Sequence, residues 1–235
     1  MKKILLFSAL ALSSFGAMAQ KSVLDNPQNK AYLGARLSID ASIPGDVKYT
    51  MGNASLSNDP FGTGGGLSIG AIYNVPVVAN LFIEPGIDFY YHTNSINVGN
   101  FLDDDESNSD FKNRSLRKFG MRIPVQIGYH FDFTPSTSLA IHTGPVLNVG
   151  FSNDYYLTTK EKHDIEFHDS GSMYDIMNRV NLSWRIGVGV NFLKNYYVGL
   201  SGDIGMLNMM KNNLEAGKVK MHENGFQLTL GYNFK

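Results

Sequence analysis

The chain has 235 residues, no cysteine and a formal net charge of −1, with 24 glycines, 15 phenylalanines and 12 tyrosines. The absence of cysteine excludes a disulfide framework, a cysteine-ligated zinc site and a lipid attached to an N-terminal cysteine. The near-neutral charge gives no reason to expect nucleic acid as a partner. Frequent glycine and aromatic residues are typical of tight turns and strands.

The first 19 residues have the pattern of a secretory signal peptide. Lys2-Lys3 forms a basic start, an apolar run follows over residues 4–12, and Ala17-Met18-Ala19 is a small-x-small cleavage site. We expect cleavage after Ala19, which leaves residues 20–235 as a single exported domain. No later stretch approaches the roughly 18 consecutive apolar residues of a membrane helix.

Eight segments of the remaining chain alternate apolar and polar residues, as β-strands with one apolar and one polar face do. The predicted strands cover residues 31–42, 64–77, 80–96, 116–133, 137–152, 180–193, 195–209 and 226–235. Pro85, Pro124 and Pro145 fall within three of them. We expect local bulges at these positions, because proline removes a hydrogen-bond donor from the ladder.

The connections between the predicted strands alternate between short and long. The short ones lie near 77–80, 133–137 and 193–195, and the long ones near 43–63, 97–115, 153–179 and 208–224. Outer-membrane barrels have this asymmetry, with short periplasmic turns and long external loops. The sequence therefore predicts an all-β fold: an eight-stranded antiparallel up-and-down transmembrane β-barrel in the outer membrane, with four long extracellular loops. A soluble lipocalin-like barrel is the alternative fold.

The polar faces of the predicted strands carry charges that would lie inside the barrel. The predicted inward charged residues are Arg36, Asp40, Glu84, Asp88, Arg122, Arg185 and Asp203. An eight-stranded barrel is just filled by its inward side chains, and buried charges must be paired or hydrogen-bonded. We therefore expect a structural network of ion pairs and a plugged barrel. The inward glycines leave a small passive channel open as the alternative.

Two polar clusters in the predicted loops suggest other chemistry. The run Asp103-Asp-Asp-Glu106 could bind calcium or the cations that bridge lipopolysaccharide, but it lacks the glycine turn and ligand spacing of a calcium loop. His163, Glu166, His168 and Asp169 could form a metal site or the acid/base pair of a hydrolase. Nothing in their long loop predicts the rigid hydrogen-bond geometry that catalysis needs. We therefore expect no catalytic residue, metal or cofactor.

Five motifs follow one another along the predicted strands. They are Ile83-Glu-Pro-Gly-Ile-Asp-Phe-Tyr90, Met121-Arg-Ile-Pro-Val-Gln-Ile-Gly-Tyr129, Thr143-Gly-Pro-Val146, Trp184-Arg-Ile-Gly-Val-Gly-Val-Asn191 and Leu230-Gly-Tyr-Asn-Phe234. In their order and spacing they resemble the outer-membrane β-barrel domain family common in Bacteroidetes, sometimes called PorT-like. The resemblance implies an outer-membrane barrel and supplies no catalytic residues. The name PorT comes from a component of a secretion system.

Three functions are consistent with these features. The first is a non-enzymatic structural or interaction role in the cell envelope, as an accessory to a secretion or envelope complex. The second is a small passive channel, and the third is a surface hydrolase acting on lipid or peptide. The expected partners are membrane lipid, lipopolysaccharide and, through the extracellular loops, other envelope proteins.

Overall fold

The computed structural model of the protein describes residues 30–52, 54–78, 80–97, 111–160, 166–211 and 218–235. Its strands are β1 (Tyr32–Pro44), β2 (Val47–Met51), β3 (Ala54–Asn58), β4 (Phe61–Val78), β5 (Leu81–Ile96), β6 (Phe111–Thr134), β7 (Thr137–Lys160), β8 (Glu166–Ser172), β9 (Val180–Phe192), β10 (Tyr196–Gly205), β11 (Lys218–Lys220) and β12 (Glu223–Phe234). A short 3-10 helix spans Met173–Asp175. None of the helical structure in the described ranges is long and apolar enough to cross a membrane. The predicted signal peptide and the acidic run at 103–106 lie outside the described residues.

Eight of the strands form a closed antiparallel barrel. Each pairs with the next in the order β1, β4, β5, β6, β7, β9, β10 and β12. The barrel closes between its first and last strands, from Leu33 opposite Phe234 to Pro44 opposite Glu223. The three short connections therefore lie at one end and the longer connections at the other. This arrangement confirms the predicted eight-stranded up-and-down barrel.

Along β1 the alternation of residue types separates an apolar exterior from a polar interior. Leu33, Leu37 and Ile39 are exposed by 53%, 53% and 62%, whereas Arg36 and Asp40 on the other face of the strand are buried. The other barrel strands continue this exposed apolar band, with Trp184 and many other aromatic residues in it. Such a band would be costly in water but suits contact with lipid tails.

The structure moves the bounds of several predicted strands. β6 and β7 each have 24 residues and continue well past the predicted ends, because their external parts pair with each other. β10 ends at Gly205 rather than at residue 209. Beyond it, the Met206 N–H still donates to the Leu182 carbonyl in the register of the ladder, whereas the Met209 N–H donates to the Met221 carbonyl outside the strands.

The bulges expected at three prolines are absent. Pro85 pairs with Val125, Pro124 with Val146, and Pro145 with Trp184, each without a shift in register. In an antiparallel ladder the N–H of a residue points toward one neighbouring strand only. The proline therefore loses a bond to one neighbour while the other neighbour holds the register.

The external connections carry structure that the alternation of residues did not predict. β2, β3 and β11 form a separate three-stranded sheet, which joins the β1–β4 connection to the β10–β12 connection. β8 pairs with the outer part of β7. Both additions lie beyond the barrel end that carries the longer connections.

An apolar cluster closes the external mouth of the barrel, and we call it the mouth cluster. Its buried members are Phe61, Ile96, Leu116, Met177, Met209 and Met221. They come from the external ends of β4, β5 and β6 and from the connections that follow β8 and β10. Val47 of the small sheet packs against the cluster from outside.

Candidate functional site

Asp40 is the centre of the first buried charge cluster in the barrel interior. Arg122 Nη2 donates to its Oδ2 atom at 2.7 Å, and His92 Nε2 lies 3.0 Å from the same oxygen. Ser68 Oγ donates to Oδ1 at 3.2 Å. These four residues belong to β1, β4, β5 and β6, which are neighbours in the barrel wall. The Asp40 side chain is only 1% exposed, so these partners replace water around the carboxylate.

Arg185 forms a second cluster that spans the lumen. Its Nε and Nη2 atoms donate to Asp203 Oδ1 and Oδ2 at 2.6 and 2.7 Å, a bidentate geometry that fixes the guanidinium plane. Its Nη1 atom lies 3.7 Å from Asp88 Oδ2. Asp88 is on β5 and Asp203 is on β10, which occupy opposite sides of the ring. The guanidinium therefore blocks the middle of the barrel.

Arg36 and Glu84 lie in the same interior but, within the described parts of the chain, neither forms an ion pair. Arg36 Nη1 donates to the Ala35 carbonyl at 3.1 Å, and its guanidinium carbon lies 4.4 Å from the ring centroid of Tyr197. Glu84 Oε2 accepts from Asn74 Nδ2 at 3.2 Å. The structure thus brings five of the seven predicted charges into ion pairs and satisfies the other two differently.

One buried ion pair was not predicted from the sequence. Lys118 Nζ donates to Glu223 Oε1 at 2.8 Å, and Ser42 Oγ donates to the same oxygen. Lys118 lies on the same inward face of β6 as Gly120 and Arg122, so the alternation along this strand was enough to predict that it is buried. Glu223 precedes the predicted start of the last strand, and no periodic pattern marked it.

Two small cavities lie on either side of the buried charges. The upper cavity, of about 80 Å³, is lined by polar groups that include Lys118, Arg122 and Glu223. The lower one, of about 40 Å³, is lined by groups that include Glu84 and Arg185. One water needs roughly 10–15 Å³ of such space, so the upper cavity has room for several waters and the lower one for a few.

Both ends of the lumen are also filled. At the external end the mouth cluster lies above the upper cavity, and Tyr174 lines that cavity from the 3-10 helix. Burial raises the pKa of Tyr174 to about 12, against the opposing effect of Arg179, so this phenol stays neutral. At the other end Phe82 stacks on His130 with 4.3 Å between ring centroids, and Tyr32 is buried nearby. The lumen is therefore a filled polar core.

Of the histidine and acid cluster suggested by the sequence, the structure describes the side chain of Asp169. His163 lies outside the described residues, and Glu166 and His168 are described only as backbone in β8. Asp169 is exposed, and its Oδ2 atom accepts from the Tyr155 hydroxyl at 3.5 Å. Within the described ranges, no three His, Cys, Asp or Glu residues are placed to hold a metal ion.

A closed eight-stranded barrel with an exposed apolar band and a filled, charged interior is the structure of an integral outer-membrane protein. The sequence matches the family described as "Outer membrane protein beta-barrel domain" over residues 7–234. The chain belongs to this family, and its location is the outer membrane.

Several solved structures of outer-membrane proteins are similar to this chain. Ail, the attachment invasion locus protein of Yersinia pestis, is 12% identical, covers 86% of this chain and 99% of its own, and has a TM-score of 0.33. OprG from Pseudomonas aeruginosa is 11% identical over 87% of this chain and 96% of its own, with a TM-score of 0.47. An outer membrane channel from Pseudomonas putida F1 is 9% identical over 86% and 96%, with a TM-score of 0.34. No curated protein matches the sequence.

Proposed function

We propose that the protein is a non-enzymatic, closed outer-membrane barrel with a structural or interaction role in the cell envelope. The observation that carries this proposal is the Arg185 guanidinium, which spans the lumen between Asp203 and Asp88. We assign a structural role, filling and bracing the barrel, to Arg36, Asp40, Glu84, Asp88, Arg122, Arg185 and Asp203. Recognition then falls to the external connections, where the small sheet and β8 present folded surfaces.

The purified, refolded protein is expected to show no unitary conductance in a planar bilayer. The mouth cluster, the Arg185 ion pairs and the Phe82–His130 stack close the lumen at three levels. Insertion is verified by a shift in electrophoretic mobility on boiling, and a known porin is the positive control. Steady steps from inserted protein would contradict the closed barrel and favour the passive channel, which the two polar cavities support as the second candidate.

We further propose that the chain is a PorT-like barrel of the Bacteroidetes type, acting as an accessory to a secretion or envelope complex. The five strand motifs and their order support this assignment. A photo-crosslinker at Leu56, which is 72% exposed on the small sheet, is expected to capture an envelope protein in living cells. Leu193 is 69% exposed in a short turn at the opposite end of the barrel and provides the matched control. Equal products from both positions would contradict recognition through the external sheet.

We also propose that residues 1–19 are a signal peptide and that residues 20–235 form the mature barrel domain. The basic start, the apolar run and the Ala17-Met18-Ala19 site support cleavage after Ala19. Intact mass measurement of protein extracted from the outer membrane is expected to give a chain that starts at Gln20. Ala19→Arg should slow cleavage, since the site requires a small residue there. Outer-membrane protein that retains residues 1–19 would contradict the assignment.

A further inference from the structure

The external three-stranded sheet has one basic face. Its register places Lys48 opposite both Lys220 and Ser57, and Thr50 opposite both Lys218 and Ser55. Alternate residues on paired strands share one side of a sheet. We call this side the lysine face, and its members are Lys48, Thr50, Ser55, Ser57, Lys218 and Lys220.

The lysine face carries positive charge that the described residues do not neutralise. Lys48 and Lys220 lie directly opposite each other, a cross-strand arrangement that is unfavourable for like charges. These two lysines and Lys218 are exposed, and they take part in none of the ion pairs within the described ranges. One carboxylate borders the face, since Asp46 Oδ2 accepts from Ser57 Oγ at 2.9 Å. A bound anion would relieve the remaining repulsion.

The opposite face of the sheet is turned toward the barrel mouth. Val47 packs against the mouth cluster. Successive side chains of a strand point to opposite sides, so the Lys48 side chain points away from the mouth. Lys48 is four residues past Pro44 at the end of β1, which places it at most about 13 Å beyond the barrel strand at the usual rise per residue. The lysine face therefore lies on the side of the sheet that is turned away from the mouth, at a distance from the barrel wall that lipid headgroups around an outer-membrane barrel can reach.

We propose that the lysine face binds the phosphate groups of outer-leaflet glycolipid headgroups, of the kind found in lipopolysaccharide. Lysine binds phosphate as a point charge, and the hydroxyls of Thr50 and Ser55 can donate hydrogen bonds to phosphate oxygens. The proposal rests on the proposed function only in requiring that the longer connections face the outside. It adds a lipid contact that orients the external sheet at the membrane surface.

The test measures binding of fluorescent lipopolysaccharide to the full-length protein folded in neutral detergent. The triple variant Lys48→Gln, Lys218→Gln, Lys220→Gln is expected to bind about tenfold or more weakly, given the contribution of each lysine near an anionic surface. The control triple variant Lys30→Gln, Lys194→Gln, Lys235→Gln removes the same charge at the opposite barrel end and should match wild type. Wild-type binding should weaken as salt is raised. Equal affinities, or equal losses in both triple variants, would overturn the proposal.

Two further experiments distinguish lipopolysaccharide from other groups that could bind the lysine face. In the first, soluble inorganic polyphosphate competes with the fluorescent lipopolysaccharide at the same phosphate concentration as unlabelled lipopolysaccharide. Equally strong competition would show that the lysine face binds free polyanions, and it would overturn the proposal of a lipid ligand. Neutralising the run at 103–106 to Asn and Gln should leave lipopolysaccharide affinity unchanged. A tenfold rise would show that this segment of the chain occupies the face and would also overturn the proposal. If these experiments overturn the lipid ligand, the proposed non-conducting barrel is unaffected, because the conductance measurement tests it independently.

Discussion

Asp40→Ala is expected to lower the free energy of unfolding by about 3–5 kcal/mol, as loss of one partner of a buried ion pair does. The substitution removes the carboxylate that accepts from Arg122 and contacts His92. The Arg122 side chain is 7% exposed, so little water can reach the guanidinium to replace the lost partner. The measurement is a urea titration of protein folded in lipid vesicles, followed by the fluorescence of Trp184, the single tryptophan.

Asp132→Ala is the matched control, because Asp132 is an exposed aspartate at the opposite end of the same barrel. Its carboxylate accepts from Asn80 Nδ2 at 3.0 Å in an exposed setting. We expect a change within about 0.5 kcal/mol, which is usual for surface substitutions. Equal effects of the two substitutions would show that the interior charge at Asp40 does not stabilise the barrel.

The barrel was predictable because a membrane strand must repeat one constraint over many residues. Each outward residue must suit lipid and each inward residue must fit a polar core, so alternation persists along Phe119–Phe131 without interruption. The external sheet was not predictable in this way. The five residues of β3 are all exposed, so no buried face imposes a period of two on them.

The partners inside the barrel depend on closure, which no local pattern encodes. Alternation predicts that Asp88, Arg185 and Asp203 face inward, but strand order and register decide that one arginine reaches both acids. Arg36 shows the same limit, since its guanidinium lies over the ring of Tyr197, far away in the sequence. The mouth cluster joins Met177, Met209 and other residues that are separated along the chain and follow no period.

The difference in unfolding free energy between a single and a double substitution is expected to be largest at Arg185. Arg185→Met leaves Asp203 without its bidentate partner and should cost about 3–5 kcal/mol of unfolding free energy, whereas an apolar replacement of both partners is often neutral or stabilising. Arg185→Met with Asp203→Leu should therefore recover most of that loss, with Asp88 limiting the recovery because its 3.7 Å contact is gone. The same urea titration gives the coupling free energy between the two sites. A double variant that folds and stays electrically silent would agree with a lumen that the mouth cluster and the Phe82–His130 stack also close. Steady conductance from it would show that the Arg185 ion pairs are needed to close the lumen.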